Sequence, residues 1–87
     1  MYSLRILGTA ARELAGLDRP VAKRLVDRIA WLAENVEQIR PEALTGDLAG
    51  LFKFRVGSYR VLYQVLEREQ TVIVHHIGHR RDVYRLK

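Results

Sequence analysis

Two stretches of the sequence place arginine side chains within apolar, strand-like sequence. The first is VGSYRVLY at positions 56 to 63, and the second is IGHRRDVYR at positions 77 to 85. A guanidinium group presents a planar fork of N–H donors that matches the oxygens of a phosphate, so arginines held on strands are suited to bind one. The same residues are also compatible with an ordinary solvated sheet face. The choice between these interpretations depends on how the strands pair.

The spacing of the first stretch determines its pairing. Positions 57–58 predict a two-residue turn of type II′ between strands at 51–56 and 59–66, which places Arg55 directly opposite Arg60. One face of this hairpin is apolar and is expected to pack on the core; its residues are Phe52, Phe54, Val56, Tyr59, Val61 and Tyr63. The other face, hereafter the basic face, consists of Lys53, Arg55, Arg60 and Leu62. Like charges directly opposite each other destabilise a sheet by up to about 1 kcal/mol, and folding alone does not require them.

Three histidines occur near the end of the sequence, and histidine is a common metal ligand. His75 and His76 are adjacent on a predicted strand and therefore point to opposite faces, which argues against a shared metal ion. A turn centred on positions 68–69 predicts His75 on the basic face near Leu62 and His76 on the core side. The sequence has no cysteine and no HExxH motif, so neither a metal site nor a cofactor is expected. His79, which precedes two arginines, is better interpreted as a nucleic-acid contact.

Composition narrows the class of partner. The chain of 87 residues has 15 Lys and Arg against 10 Asp and Glu, a net charge of +5 and a pI near 10.1. This balance favours anionic partners, nucleic acid before an acidic protein or an anionic membrane. The length predicts a single domain over residues 1–87. No apolar run approaches the roughly 20 residues of a membrane span, and Arg5 and Arg12 interrupt the N-terminal stretch, so a cytoplasmic protein without a signal peptide is expected.

The remaining pattern predicts the elements that position the basic face. Strands are expected at 2–7, 51–56, 59–66 and 71–78, a short helix at 10–15, and an amphipathic helix from Asp18, its expected N-cap, to Val36. Residues 40–50 contain Pro41, Gly46 and Gly50 without a period and predict a loop. The fold class is therefore α+β, with the order βααβββ and an antiparallel sheet packed against two N-terminal helices.

The segments LTGDLAGLFKFRVGSYRVLYQV at 44–65 and IGHRRDVYR at 77–85 resemble the RelE/ParE superfamily of bacterial and archaeal toxins, in particular its RelE-like mRNA interferases. The predicted element order matches as well, so the resemblance covers essentially the whole chain. The element G-x-Y-R-x-x-Y is shared across the superfamily, whereas the ending G-H-R-x-x-V-Y is more typical of the RelE side. The resemblance implies the toxin of a type II toxin–antitoxin module, a ribosome-dependent endoribonuclease that enters the decoding A site and cuts messenger RNA. It also implies a cognate RelB-like antitoxin, and a complex that binds operator DNA through the antitoxin.

Site residues carry over from the family by position. Lys53 matches the first of two lysines in the catalytic strand of the family, and Arg55 occupies the position of the second. Arg60 matches the arginine that binds the scissile phosphate. Arg80 matches the late catalytic arginine and Tyr84 the C-terminal tyrosine that stacks on a base. Arg81 takes the place of Arg80 if the alignment shifts by one residue; the further RNA-binding candidates are Arg81, His79 and His75.

The implied reaction uses the 2′-hydroxyl of RNA as the nucleophile and leaves a 2′,3′-cyclic phosphate. The protein must align the reacting atoms, stabilise the added negative charge and move two protons. Arg60, with the arginine opposite it, can stabilise the charge, and Arg80 is expected near the leaving oxygen as proton donor or as electrostatic stabiliser. An arginine effectively cannot lose its proton, so Lys53 is the expected general base, with Tyr84 or His79 as alternatives.

Two other functions remain compatible with this sequence. A ParE-like toxin binds and poisons DNA gyrase and does not need the catalytic set. A non-enzymatic RNA-binding domain would bind with the salt dependence of phosphate contacts and never cut. A shared fold does not decide among these functions, because function depends on the site.

Overall fold

The computed structural model describes residues 2–79. Its elements are β1 (Ser3–Ile6), α1 (Gly8–Ala15), α2 (Arg19–Asn35), β2 (Glu42–Ala43), a 3₁₀ turn (Gly46–Leu48), β3 (Phe52–Val56), β4 (Tyr59–Leu66) and β5 (Thr71–His79). The strands form one five-stranded sheet in the order β1-β5-β4-β3-β2. The predicted α+β class, with two N-terminal helices packed on a sheet, is confirmed. None of the helices in this part of the chain is long and apolar enough to cross a membrane.

The sheet is mixed because its first strand runs parallel to its last. β1 pairs with β5 from Ser3 opposite Thr71 to Ile6 opposite Val74, and the other neighbouring strands are antiparallel. The expectation of an antiparallel sheet therefore holds for the strands that follow α2, and β1 differs from it. Apolar and polar residues alternate in β1 whichever way its partner runs, so the sequence pattern carries no information about this orientation.

The strand β2 lies within the segment that the sequence predicts to be a loop. Glu42 pairs with Lys53, and Ala43 pairs with Phe52. Two residues are too few for an alternating pattern, so local sequence cannot indicate such a strand. The pairing matters for the site because it places a carboxylate beside the lysine of the basic face.

Both helices pack on the apolar face of the hairpin. The α2 residues Leu25, Ile29 and Leu32 recur at helical spacing and are at most 1% exposed. They meet Val61 and Tyr63 of β4, which are fully buried. Asp18 precedes α2 at the N-cap position, but its side chain makes no capping hydrogen bond. The predicted division of the hairpin into an apolar and a basic face is thereby confirmed.

The turn between β3 and β4 has the conformation that the sequence predicts. Gly57 has a φ of 59°, and among the described non-glycine residues only Gln70, in the next turn, has a positive φ. A positive φ at the first central position alone is the type II′ pattern. The resulting pairs, Arg55 with Arg60 and Val56 with Tyr59, are those predicted.

We expect Gly57→Ala to lower the free energy of unfolding by about 1–2 kcal/mol, because an L side chain is strained at positive φ. The added Cβ would lie 3.6 Å from the nearest atom, Nη2 of Arg24, so the loss reflects backbone strain and not a clash. Urea unfolding followed by circular dichroism measures it.

Gly16→Ala is the matched control, since Gly16 has a φ of −83° and its added Cβ would lie 3.6 Å from the carbonyl oxygen of Glu13. This variant should keep or gain stability, by up to about 1 kcal/mol. Equal losses in the two variants would contradict the assignment of the turn.

Candidate functional site

The hairpin brings the three predicted cations of the basic face together. Arg55 is the cross-strand partner of Arg60, and Lys53 is the partner of Leu62. Partners in an antiparallel pair project from the same face of the sheet, so Lys53, Arg55 and Arg60 lie on one surface. On its other side Arg60 is paired with Gly78 of β5, which has no side chain. The surface beside this guanidinium is therefore positive on the β3 side and has no competing side chain at its β5 partner.

Arg60 is a buried cation whose N–H donors are not all used by the described part of the chain. The residue is only 7% exposed. Its Nη1 donates to the carbonyl oxygens of Tyr59, at 3.2 Å, and of Gly57, at 3.4 Å. Its Nε is buried and has no hydrogen-bond partner among the described residues. An unsatisfied buried donor costs about 1–3 kcal/mol, and more on a charged group, so an anion bound here would remove an energetic penalty.

Lys53 is held by a carboxylate. Its Nζ lies 3.2 Å from Oε2 of Glu42, and the lysine side chain is 21% exposed against 63% for the glutamate. The expected role as general base would therefore require Lys53 to leave Glu42 and to lose its own proton first. The sequence pattern did not indicate Glu42, because this residue falls in the predicted loop; the only signal was an acidic residue shortly before a basic strand.

A β-bulge changes the predicted placement of the histidines. Leu62 pairs with His76 and Tyr63 pairs with Val74, which leaves His75 as the extra residue. The expectation that His76 lies on the core side is therefore wrong, since it shares a pair with Leu62 of the basic face. A bulge adds one residue to one strand, and a register counted from the turn cannot foresee it.

His75 stays on the side of the basic face, as predicted. A hydrogen bond of 3.1 Å joins its Nε2 to Oε1 of Gln64. Gln64 lies two residues after Leu62 in β4 and therefore on the same face of the sheet. Burial, and secondly the charge of His76, lower the pKa of His75. His75 thus lies on the side of the basic face, and one of its ring nitrogens is hydrogen-bonded to the side-chain amide of Gln64.

His76 contacts Glu13, a residue of α1. Oε1 of Glu13 accepts a hydrogen bond of 2.9 Å from the backbone N–H of Ile77 and lies 3.7 Å from Nδ1 of His76. The pairing of β5 with the β1 side ends at the hydrogen bond from the N–H of Leu7 to the carbonyl oxygen of Val74. Beyond that point the Glu13 carboxylate accepts the N–H that β5 would otherwise leave unpaired at this edge. This contact ties α1 to the sheet. Residues 2–79 contain no group of three or more potential ligand side chains that could hold a metal ion.

His79 does not join the basic face. It is the partner of Tyr59, whose ring belongs to the apolar face, and the two rings meet edge to face with centroids 5.8 Å apart. The predicted residues Arg80, Arg81 and Tyr84 lie outside the described residues, and their roles stay predictions. The structure thus unites Lys53, Arg55 and Arg60, with His75 and His76 at the margin of this surface.

Known toxin proteins are similar to this chain over nearly its whole length. The protein-family model of the ParE toxin of the type II toxin–antitoxin system, parDE, matches residues 4–84. Over 85 residues the chain is 34% identical to Toxin RelG of Mycobacterium tuberculosis, covering 97% of each protein. It is 33% identical over 85 residues to Toxin RelE of the same organism, covering 98% of this chain and 88% of that protein.

Solved structures show the same fold. The RelBE2 toxin–antitoxin complex from Mycobacterium tuberculosis contains a chain that superposes with a TM-score of 0.81 at 29% identity, covering 90% of this chain and 96% of that chain. The isolated RelE toxin of E. coli superposes with a TM-score of 0.74 at 25% identity, covering 91% of this chain and 84% of that chain. The similarity therefore includes the hairpin that carries the basic face.

We expect Arg55→Thr to raise the free energy of unfolding by up to about 1 kcal/mol, because it removes a cation directly opposite Arg60. The gain should shrink in 1 M salt, where the Debye length is about 3 Å. Urea unfolding at low and high salt measures both effects.

Arg5→Thr removes an exposed arginine from β1, where the partner is Ile73, and serves as the control. It should show no comparable gain at low salt. A loss of stability in Arg55→Thr at both salt concentrations would contradict the interpretation that the two arginines repel each other.

We expect protonation of His75 to destabilise the fold. Its pKa is lowered from the usual 6.5 in the folded protein, so the unfolded chain binds the proton more tightly and stability falls as the pH drops through 6.5. In His75→Gln this part of the loss should vanish, which urea midpoints measured between about pH 7.5 and 5.5 would detect. An unchanged slope in the variant would contradict the role of His75.

Proposed function

Because the chain belongs to the RelE/ParE family of toxins of type II toxin–antitoxin systems, we propose that it is a ribosome-dependent endoribonuclease that cleaves messenger RNA in the ribosomal A site. The observation that carries this proposal is the buried guanidinium of Arg60, whose Nε has no described partner and which faces Arg55 across the hairpin. Among residues 2–79 nothing offsets the cost of this arrangement, and the phosphate of RNA is an anion that fits a guanidinium.

In the proposed reaction the 2′-oxygen attacks the adjacent phosphorus, and the bond from phosphorus to the 5′-oxygen breaks. Arg60 and Arg55 stabilise the charge that develops on the phosphate oxygens. Lys53, once it has left Glu42 and given up its own proton to solvent, takes the proton of the 2′-hydroxyl as a neutral amine. RNA supplies the nucleophile, so the mechanism requires no metal ion or cofactor.

Residues beyond position 79 complete the proposed site. Arg80, or Arg81 in its place, donates a proton to the leaving 5′-oxygen or stabilises its charge. Tyr84 stacks on a base and keeps the strand splayed, as aromatic residues commonly do with single-stranded RNA. The positive charge of the basic face attracts the ribosomal and messenger RNA among which the protein would act, in the cytoplasm.

We also propose that a RelB-like antitoxin binds and silences this chain. The similar chain from Mycobacterium tuberculosis was solved in a toxin–antitoxin complex. A net charge of +5 favours an acidic partner segment that becomes ordered on binding. The complex would bind operator DNA through the antitoxin.

A ParE-like action on DNA gyrase is the alternative function. The family model that matches the chain is described as a ParE toxin, whereas the two curated relatives are named RelG and RelE. Arg60 belongs to the element shared across the superfamily and does not separate the two functions, whereas a gyrase poison acts by binding protein and has no need of a general base such as the one proposed at Lys53. The basic face therefore favours RNA cleavage.

The test maps 5′ ends of a defined mRNA on purified programmed ribosomes, using antitoxin-free protein. Wild type should cut within the A-site codon only when ribosomes are present. Arg60→Ala should slow cleavage by about 10²–10³-fold, the loss typical of removing one charge-stabilising donor. Lys53→Gln should slow it by about 10²–10⁴-fold, as for loss of a general base.

Arg68→Ala is the control, since Arg68 is exposed in the turn between β4 and β5, at the far end of the hairpin from Gly57. It should cleave at the wild-type rate. Intact mRNA with folded wild-type protein would refute the proposed activity, and gyrase inhibition by the same preparation would then establish the alternative.

A further inference from the structure

A groove of about 270 Å³, hereafter the β3-edge groove, opens between α2 and the outer edge of β3. The strand β2 covers this edge only at Phe52 and Lys53. Past these two residues the outer edge of β3, opposite β4, has no strand partner within residues 2–79. Side chains from α2, from the segment before β2 and from the strands of the sheet line the opening, and most of them are cationic or aromatic.

The cations of the β3-edge groove outnumber its acids. Arg28, Arg40, Lys53 and Arg55 line it, together with one carboxylate, that of Glu42. Glu42 is already paired with Lys53 at 3.2 Å, so the three arginines determine the net charge. All three are exposed. The groove therefore attracts an anionic occupant.

The aromatic component is a stack that reaches the surface. The rings of Trp31 and Phe54 are nearly parallel, at 10°, with centroids 6.1 Å apart. The guanidinium of Arg28 lies 4.6 Å from the centroid of Trp31 and 5.6 Å from that of Phe54. Trp31 is nevertheless 37% exposed. Planar aromatic and guanidinium surfaces are what unstacked RNA bases bind, whereas an acidic peptide needs only the charge.

The groove is continuous with the basic face, because Lys53 and Arg55 belong to both. From the charge, the exposed stack and this continuity, we propose that the β3-edge groove binds a nucleotide of the RNA strand next to the phosphate held at Arg60. Its base stacks on the surface formed by Trp31 and Arg28, and Arg40 contacts a backbone phosphate. The identity of the strand rests on the function proposed above, but binding in the groove does not require cleavage.

The experiment exploits the fact that Trp31 is the only tryptophan in the sequence, so its fluorescence reports on this groove alone. Full-length, antitoxin-free protein is titrated at low salt with a short 2′-O-methyl oligoribonucleotide, which lacks the nucleophile and cannot be cut. A fluorescent label on the oligonucleotide reports binding independently through anisotropy. We expect the oligonucleotide to quench Trp31 emission with the same Kd that anisotropy gives.

Arg28→Gln and Arg40→Gln should each weaken binding by about tenfold, within the range expected for losing one stacking or phosphate contact. Arg40→Gln should also reduce the slope of log Kd against log salt by about 0.7. Lys23→Gln removes the same charge from an exposed position of α2 outside the groove, and it should leave the Kd within about twofold.

Binding without quenching, or no binding at low salt, would overturn the proposal. So would quenching by a Glu-rich and Asp-rich peptide when the oligonucleotide has no effect, since this would assign the groove to a protein partner. Quenching by RNA that the Arg28 and Arg40 variants weaken supports it. The cleavage assay on ribosomes tests the proposed activity separately. Quenching of Trp31 by RNA without cleavage of mRNA would support the groove and refute the activity. Cleavage without quenching would refute the groove alone.

Discussion

The register of the β3–β4 hairpin is the constraint on which both the core and the basic face depend. Gly57, at a φ of 59°, closes a two-residue turn and sets every pair that follows. Val61 and Tyr63 consequently face the helices and are fully buried, while Arg55 and Arg60 face the other way. A slip of one residue would move the arginines into the core and the apolar residues to the surface. The packing of α2 therefore also holds the basic face in place.

Within residues 2–79, the basic face is electrostatically unfavourable. Arg60 is 7% exposed, its Nε lacks a described partner, and Arg55 lies opposite it. Stability must come from the other side of the sheet, where α2 buries a stripe of apolar side chains against β4. Glu42 moderates the charge by pairing with Lys53. A phosphate arriving at this face would relieve the repulsion between the arginines, so binding of the proposed substrate would also stabilise the fold.

The two outer edges of the β3–β4–β5 meander differ in how far other parts of the chain cover them. Beyond β5, the sheet continues into β1, and Glu13 of α1 accepts the N–H of Ile77 where β1 ends. Beyond β3, the short β2 covers two residues and leaves the rest of the edge to the groove beside Trp31. A strand of RNA bound as proposed would thus meet an open, positively charged surface on the side of β3. The closed side serves to anchor the helix.

Local sequence determined the helices, the meander of β3 to β5, the hairpin register and hence the pairing of Arg55 with Arg60, because periodicity and turn chemistry are short-range properties. Resemblance to a toxin family supplied the roles assigned to Lys53 and Arg60. Only the tertiary structure decided the parallel pairing of β1, the ion pair of Lys53 with Glu42 and the bulge that moved His76 to the side of Leu62. The first two depend on contacts between separate segments of the chain, and the third depends on one inserted residue. None of the three leaves a periodic signal in the sequence.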